Sequence, residues 1–158
     1  MFLQKEREKN ILRINRTFID CSLGEDLSSV ESKIRRKKIS FEERDVRGRK
    51  LMIMRNIEYG KYTLDSLGFA FFNDRMYKAT MFFHISSFED FEKDLTYHEL
   101  IKLFDEKYLR YSQGYIYTDD STQIECSHNT SNNFNTYVVA VSYYDKKSGS
   151  HEDFQKGF

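Results

Sequence analysis

Hydrophobic and polar positions alternate most clearly between Leu67 and Ile85, where two runs rich in aromatic and β-branched residues flank a short polar turn. The turn contains Asn73 and Asp74, whose side chains tolerate a left-handed backbone and hydrogen-bond locally. This pattern predicts a β-hairpin. Alternation divides the second strand between two faces. The face expected to meet the core carries Tyr77, Ala79, Met81, Phe83 and Ile85. The opposite face carries Lys78, Thr80, Phe82 and His84.

Two segments carry helical signals. The first opens at Asp26 or Ser28, since either residue suits an N-cap and Ser28 with Glu31 fits a capping box. Basic residues 35–38 end this helix, where positive charge complements the helix dipole. The second helix is predicted over 97 to about 112. It begins at a capping box formed by Thr96 and Glu99, and Gly114 provides a natural stop.

Further runs rich in aromatic and β-branched residues predict strands at 17–20, 39–41, 50–57, 115–117, 123–126 and 137–144. The polar segments 58–65 and 127–135 are interpreted as loops. The resulting order is strand, helix, four strands, helix, three strands. We therefore predict an α+β fold, a single antiparallel β-sheet with two or three helices packed on one face. A chain of 158 residues suits one domain, with residues 1–16 and 146–158 as loosely packed ends.

Composition narrows the classes of partner. The 25 basic and 25 acidic residues balance, so no global field favours nucleic acid or an anionic membrane. The basic run 35–38 is interpreted as a solvated helix end. No apolar run approaches the ~20 residues that span a bilayer. The first residues lack the apolar region of a signal peptide, which predicts a cytoplasmic protein as the sequence stands, or an exported one if a leader has been removed.

The chain has two cysteines, Cys21 and Cys126. They are too few for a disulfide framework or a structural zinc site, so we predict free thiols, with a single bridge as the alternative in an exported protein. Asp119 and Asp120 with Glu125 offer oxygen ligands for a cation, but a polar turn is the ordinary explanation for them. No cofactor is predicted.

Four stretches resemble a known family: residues 18–24 leading into the first helix, the hairpin 69–79, the helix signature 97–108 and the closing strand 139–145. Together they are similar to small uncharacterised bacterial proteins of Bacteroidetes type with the layout of β-lactamase inhibitor proteins. The likeness covers roughly residues 17 to 145. It implies a helix-backed antiparallel sheet and supplies no catalytic residues.

One pattern could carry catalysis. His84 with Ser86, and His128 with Thr130, both match the His-x-Ser/Thr motif of two-histidine phosphodiesterases. That chemistry requires two imidazoles facing one phosphate as general base and general acid. The alternative is a strand histidine and a loop histidine without a catalytic role.

Aromatic side chains point instead to recognition. Tyr111, Tyr115 and Tyr117 lie near the predicted helix end, and tyrosines combine a large apolar body with a polar tip. Phe82 and His84 fall on the polar face of the central strand, where a large aromatic is the kind of anchor that binding surfaces use. We therefore predict a non-enzymatic protein-binding or regulatory module whose partner is another protein; the phosphodiesterase is the alternative.

Overall fold

The computed structural model describes residues 13–60, 62–85, 96–108, 110, 115–130 and 137–148. Two short strands form a separate small sheet, β1 (Thr17–Phe18) and β2 (Cys21–Ser22). Two helices are described, α1 (Leu27–Arg36) and α2 (Thr96–Lys107). The remaining strands are β3 (Glu42–Val46), β4 (Arg49–Tyr59), β5 (Tyr62–Phe72), β6 (Arg75–Ile85), β7 (Ile116–Thr118), β8 (Thr122–Thr130) and β9 (Tyr137–Asp145).

Seven of these strands form one antiparallel sheet in the order β3-β4-β5-β6-β9-β8-β7. Strands β3 to β6 pair in chain order as successive hairpins, and so do β7 to β9. The two groups join where β6 pairs with β9. Among the described residues, the edges of this sheet are β3 and the short strand β7. Every residue of β3 is exposed, and its sequence is strongly charged, as expected for a strand that must avoid unwanted edge pairing.

The predicted fold class, an α+β domain with helices packed on one face of a single sheet, is wrong. The described structure is mostly β, with a second sheet and two helices. Segments interpreted as loops account for the difference: 58–60 and 62–65 hold the paired ends of β4 and β5, and 127–130 extends β8. Glu58 and Thr63, for example, pair across the strands with both side chains exposed. Strands that project polar side chains into solvent lack the apolar pattern by which strands are recognised.

Two of the hairpins of the large sheet turn on left-handed residues. Asn73 and Asp74 join β5 to β6 with φ of 50° and 61°, which confirms the predicted turn. Arg47 and Gly48 join β3 to β4 in the same way, with φ of 52° and 77°. Two consecutive positive φ values give a turn whose twist matches that of the flanking strands.

The predicted strand 17–20 is interrupted by a third turn of this kind. Ile19 and Asp20 have φ of 44° and 69° and separate β1 from β2. A β-branched residue rarely adopts this conformation, so hydropathy alone gives no warning of a turn at Ile19.

The core lies against one face of the large sheet. Its members come from β1 and β2, both helices and six strands of the sheet; the largest fully buried side chains include Phe18, Ile34, Met52, Met54, Leu64, Leu67, Phe69, Phe71, Tyr117 and Ile124. Ala79, Met81 and Phe83 of β6 are buried in it, as predicted. The side chain of Ile85 lies outside the described residues.

Tyr77 was predicted on that core face, and this placement is wrong. The register between β5 and β6 shifts between Ala70 and Phe71, so that Phe71 pairs with Met76. The extra residue on β6 is a β-bulge, which breaks the alternation. Met76 therefore occupies the core position, and Tyr77 is buried outside the core cluster beside Arg49.

A second break in alternation occurs along β4 and β5. Met52 and Met54 are buried in the core, but the next buried residue is Ile57, one position out of phase. Asn56 between them has φ of 55°. Ile57 pairs with Leu64, which is equally out of phase with Leu67, so both strands change together.

Helix α1 is capped at both ends. Asp26 is the N-cap and accepts a hydrogen bond from the backbone of Ser28, which confirms Asp26 and excludes the Ser28–Glu31 capping box. At the other end, the backbone N–H of Ile39 donates to Ile34 O (3.3 Å) and that of Lys38 to Arg35 O (3.0 Å). This is a Schellman motif with Lys38 in the left-handed position that glycine usually occupies.

Helix α2 ends at Lys107, several residues before the predicted 112. Arg110 already pairs with Tyr117 of β7 through an isolated bridge, and its guanidinium forms an ion pair with Asp105. The backbone of Arg110 is therefore paired with a strand where the apolar pattern predicted helix. The side chain of Thr96, the predicted cap, and Gly114, the predicted stop, lie outside the described residues.

Residues 13–16, part of the end that we predicted to be loosely packed, are held in place. Ile14 is 4% exposed, and its backbone N–H donates to Asp119 Oδ2 over 2.8 Å. Arg16 donates to Asp145 Oδ1 (2.9 Å) and Thr122 Oγ1 (2.7 Å) at the end of the β8–β9 hairpin. These contacts tie the start of the described chain to its last two strands.

Candidate functional site

We use the term second face for the side of the large sheet opposite the core. Phe82 lies there, in a row of paired residues that runs Arg55, Ser66, Phe82, Ala140, Ser127. Phe82 is half-buried and does not belong to the core cluster or to the partly buried residues that pack on it. The predicted anchor is therefore placed on the face where alternation put it, away from the core.

The next row of the second face has short side chains at its centre. Gly68, Thr80 and Ser142 follow one another across β5, β6 and β9. The hydroxyls of Thr80 and Ser142 lie 3.0 Å apart and satisfy each other in a buried position. A Cβ added at Gly68 would meet the carbonyl of Met52 at 3.9 Å, an ordinary van der Waals contact. These three residues lie between the row of Phe82 and the row of Lys78, and we call them the trough.

On the other side of the trough, Lys78 and Tyr144 pair across β6 and β9. The ammonium of Lys78 lies 5.1 Å from the centre of the Tyr144 ring. Burial lowers the pKa of Lys78, although the nearby Glu125 carboxylate acts in the opposite direction. Burial also raises the pKa of the Tyr144 phenol, with Glu125 adding to the effect. The fold thus keeps a desolvated cation on this face at a cost in stability.

Arg49, the first residue of β4, contacts two further aromatic side chains. Its guanidinium lies 5.2 Å from the ring centre of Phe72 and 5.9 Å from that of Tyr77. Within the described part of the chain, Nε of Arg49 is buried without a hydrogen-bond partner. Sequence reasoning missed Arg49, Phe72 and Tyr144. Alternation along the first hairpin strand would have placed Phe72 on this face, whereas Tyr77 depends on the bulge.

The histidines of the catalytic hypothesis lie on strands that flank β9. The backbone of His84 pairs with Val138, whereas His128 pairs with Val139, so they occupy neighbouring rows. His128 is exposed on β8 rather than in the predicted loop. Ser86 and the side chains of His84 and Thr130 lie outside the described residues, so the catalytic hypothesis stays a prediction.

The predicted tyrosine patch is divided between surface and core. Tyr115 is 37% exposed, with the Arg110 guanidinium 5.0 Å from its ring centre. Tyr117 has no exposed surface, and its hydroxyl donates to Asp105 Oδ1 over 2.8 Å. Tyr117 therefore packs in the core beside Phe104 of α2. Tyr111 lies outside the described residues.

The acidic turn before β8 has a structural role. Asp119 accepts hydrogen bonds from the backbone N–H groups of Ile14, Ser121 and Thr122. Burial raises the pKa of this carboxyl, but the three donors outweigh burial and hold the pKa below its usual value of 3.8. The described residues contain no cluster of three or more histidine, cysteine or acidic side chains suited to a metal ion.

Both cysteines are free thiols, as predicted. Burial raises the pKa of Cys21 to about 11, and burial raises that of Cys126 to about 12. Neither thiol is therefore activated as a nucleophile.

Comparison of the chain with protein-family models, curated proteins and solved structures finds no match. The resemblance to β-lactamase-inhibitor-like proteins stays a prediction. None of the helices in the described ranges has the length and apolar character needed to cross a membrane.

Proposed function

We propose that this protein is a non-enzymatic binding module that recognises another protein through the second face of its large sheet. The observation that carries the proposal is the position of Phe82, a half-buried aromatic outside the core cluster. Large aromatic side chains at the centre of a surface are typical anchors of protein interfaces.

The surroundings of Phe82 support this function. The trough beside Phe82 carries only short side chains, and the hydroxyls of Thr80 and Ser142 already satisfy each other. A partner covering the trough therefore leaves no buried polar group unpaired there. The half-buried Lys78 is retained although burial disfavours its charge, which fits a residue kept for recognition rather than for stability.

A matched pair of variants tests the proposal, because Phe82 and Phe83 are adjacent on β6 but lie on opposite faces. Phe83 is 5% exposed and belongs to the core. Phe83→Ala should therefore lower the free energy of unfolding by about 3–5 kcal/mol. Phe82→Ala should lower it by less, about 1–2 kcal/mol, because Phe82 lies outside the core cluster and keeps part of its side chain exposed in the native state.

The binding half of the test uses the folded Phe82→Ala variant as bait in an extract of the cells that produce the protein. We expect a partner retained by wild type to be lost with Phe82→Ala and retained by Val46→Ala, a change at an exposed apolar residue on β3. A loss of about 3 kcal/mol or more from Phe82→Ala would identify Phe82 as an ordinary core residue and overturn the proposal.

A further inference from the structure

Strand β3 covers only half of β4. Its pairing with β4 runs from Val46 opposite Arg49 to Glu42 opposite Ile53, and it stops there. The other half of β4, Met54–Tyr59, pairs with β5 on one side and with no described strand on the other. Each antiparallel strand directs alternate N–H and C=O groups toward each neighbour, so this half of β4 presents unpaired backbone donors and acceptors.

An open groove of about 520 Å³ runs along the same edge of β4. It is lined by Ile39, Ser40, Phe41, Glu42, Ile53, Arg55, Asn56 and Ile57. The chain between α1 and β3 forms one wall, and the uncovered half of β4 forms the other. Ile39 and Phe41 on the first wall and Ile53 and Ile57 on the second supply the apolar half of the lining. A groove of this kind offers pockets for the side chains of a strand laid beside β4.

Basic residues outnumber acidic ones around this groove, although Glu58 is exposed on the same half of β4. Arg36 and Lys38 are exposed where α1 leads into the groove, and the guanidinium of Arg35 lies 5.0 Å from the ring centre of Phe41. The carboxylate of Glu42 forms ion pairs with both Arg44 and Arg55 at 3.1 Å, so two cations compensate the acidic residue of the lining.

We propose that this groove binds an extended acidic peptide segment of a partner protein, which adds as a short strand to Met54–Tyr59 of β4. Backbone hydrogen bonds to β4 provide the affinity, apolar side chains enter the groove, and acidic side chains meet the basic residues around it. Asn56 has a φ of 55°, which interrupts the regular strand backbone within this half and limits the added strand to a short segment.

A second copy of this chain is a poorer occupant. Two copies joined at this edge would bring the two sets of basic residues together, and like charges facing each other across an interface reduce affinity. The groove is centred on a different strand from the second-face proposal: Phe82 lies on β6, two strands from β4, although Arg55 of the groove belongs to the same row as Phe82.

The test uses synthetic peptides as probes. The first is an acetylated, amidated hexapeptide that alternates glutamate and valine; the second replaces each glutamate with lysine; the third is the acidic peptide with all of its backbone amides N-methylated. Binding is followed by two-dimensional NMR and by hydrogen exchange of the backbone amides of ¹⁵N-labelled full-length protein. We expect the acidic peptide to shift and protect amides within Met54–Tyr59. The lysine peptide should bind about tenfold or more weakly, and the methylated peptide should give no protection, because it lacks the donors of a β-ladder.

Two charge-reversal variants complete the experiment. Arg55→Glu changes the groove lining, and Lys102→Glu makes the same change on the exposed side of α2. Arg55→Glu should weaken binding of the acidic peptide about tenfold or more, and Lys102→Glu should leave it within about twofold. Absence of binding at millimolar peptide, protection confined to another strand, equal binding of the lysine peptide, or peptide-free dimerisation that protects the same amides would each overturn the proposal.

Discussion

Arg16 connects the N-terminal hairpin to the end of the β8–β9 hairpin, and its replacement by methionine should destabilise the fold substantially. Its guanidinium donates to Asp145 Oδ1 and Ser121 O at 2.9 Å and to Thr122 Oγ1 at 2.7 Å. Asp145 is 7% exposed and Thr122 is fully buried. Methionine keeps much of the apolar stem but leaves the Asp145 carboxylate without its cation.

The magnitude follows from the burial of the two partners. Removing one member of a fully buried ion pair costs about 3–5 kcal/mol, because the other charge remains desolvated. The Arg16 side chain is 29% exposed, against 10% for Asp145, so water compensates part of the loss. We therefore expect Arg16→Met to lower the free energy of unfolding by about 2–3 kcal/mol.

Urea unfolding measures this change, with the slope of the transition checked for constancy between variants. Arg13→Met is the matched control, since Arg13 is exposed three residues earlier, and it should change stability by less than about 0.5 kcal/mol. In a double-mutant cycle, Arg16→Met and Asp145→Asn should show coupling of at least about 1 kcal/mol. Equal stabilities of the Arg16→Met and Arg13→Met variants would refute the reasoning.

Three further predictions concern other parts of the fold. Lys38→Gly should stabilise the protein by about 0.5–1 kcal/mol in urea unfolding, because glycine adopts the left-handed position of the α1 Schellman motif without strain; a loss of stability would contradict that geometry. Cys21 and Cys126 should react slowly with a thiol reagent at pH 8 in the native protein and yield two equivalents after unfolding without reductant, since burial raises both pKa values; rapid native labelling would disprove their burial. Because folding lowers the pKa of Asp119, its carboxylate stabilises the fold at pH values above the pKa that Asp119 has in the unfolded chain. This stabilisation is lost as the pH falls through the pKa of Asp119 in the folded protein. The stability difference between wild type and Asp119→Asn should therefore shrink between about pH 6 and pH 2.5, and a constant difference would count against the backbone bonds to Asp119.

Sequence patterns predict individual turns and core positions of this fold better than they predict how its strands and helices are arranged. The Asn73–Asp74 turn and the core positions Ala79, Met81 and Phe83 follow from turn chemistry and strict alternation. Alternation fails where the backbone departs from the regular strand. The bulge beside Tyr77 shifts the register by one residue, and no hydropathy pattern marks it.

Strand length was the other source of error. Exposed polar pairs such as Glu58 and Thr63 belong to the sheet through backbone hydrogen bonds, to which side-chain hydropathy is insensitive. The sheet is therefore larger than its apolar segments suggest. Sequence analysis identified Phe82 because an aromatic residue on an otherwise polar strand face is unusual. It missed Arg49 because an arginine at the end of a strand is common, and only the structure shows its contacts with Phe72 and Tyr77.

Site-specific photo-crosslinking tests the central claim most directly. Benzoylphenylalanine is incorporated at position 82 or, as matched sites, at position 46 on β3 and position 102 on α2, and each protein is irradiated in extract of the producing cells. Position 82 faces the proposed interface, whereas Val46 and Lys102 are exposed elsewhere. The account predicts a discrete protein adduct from position 82. An excess of wild-type protein without the crosslinker should reduce the yield of this adduct, whereas an excess of the Phe82→Ala variant should not. Equal adducts from all three positions, or no competable adduct from position 82, would contradict a partner-binding role for the second face.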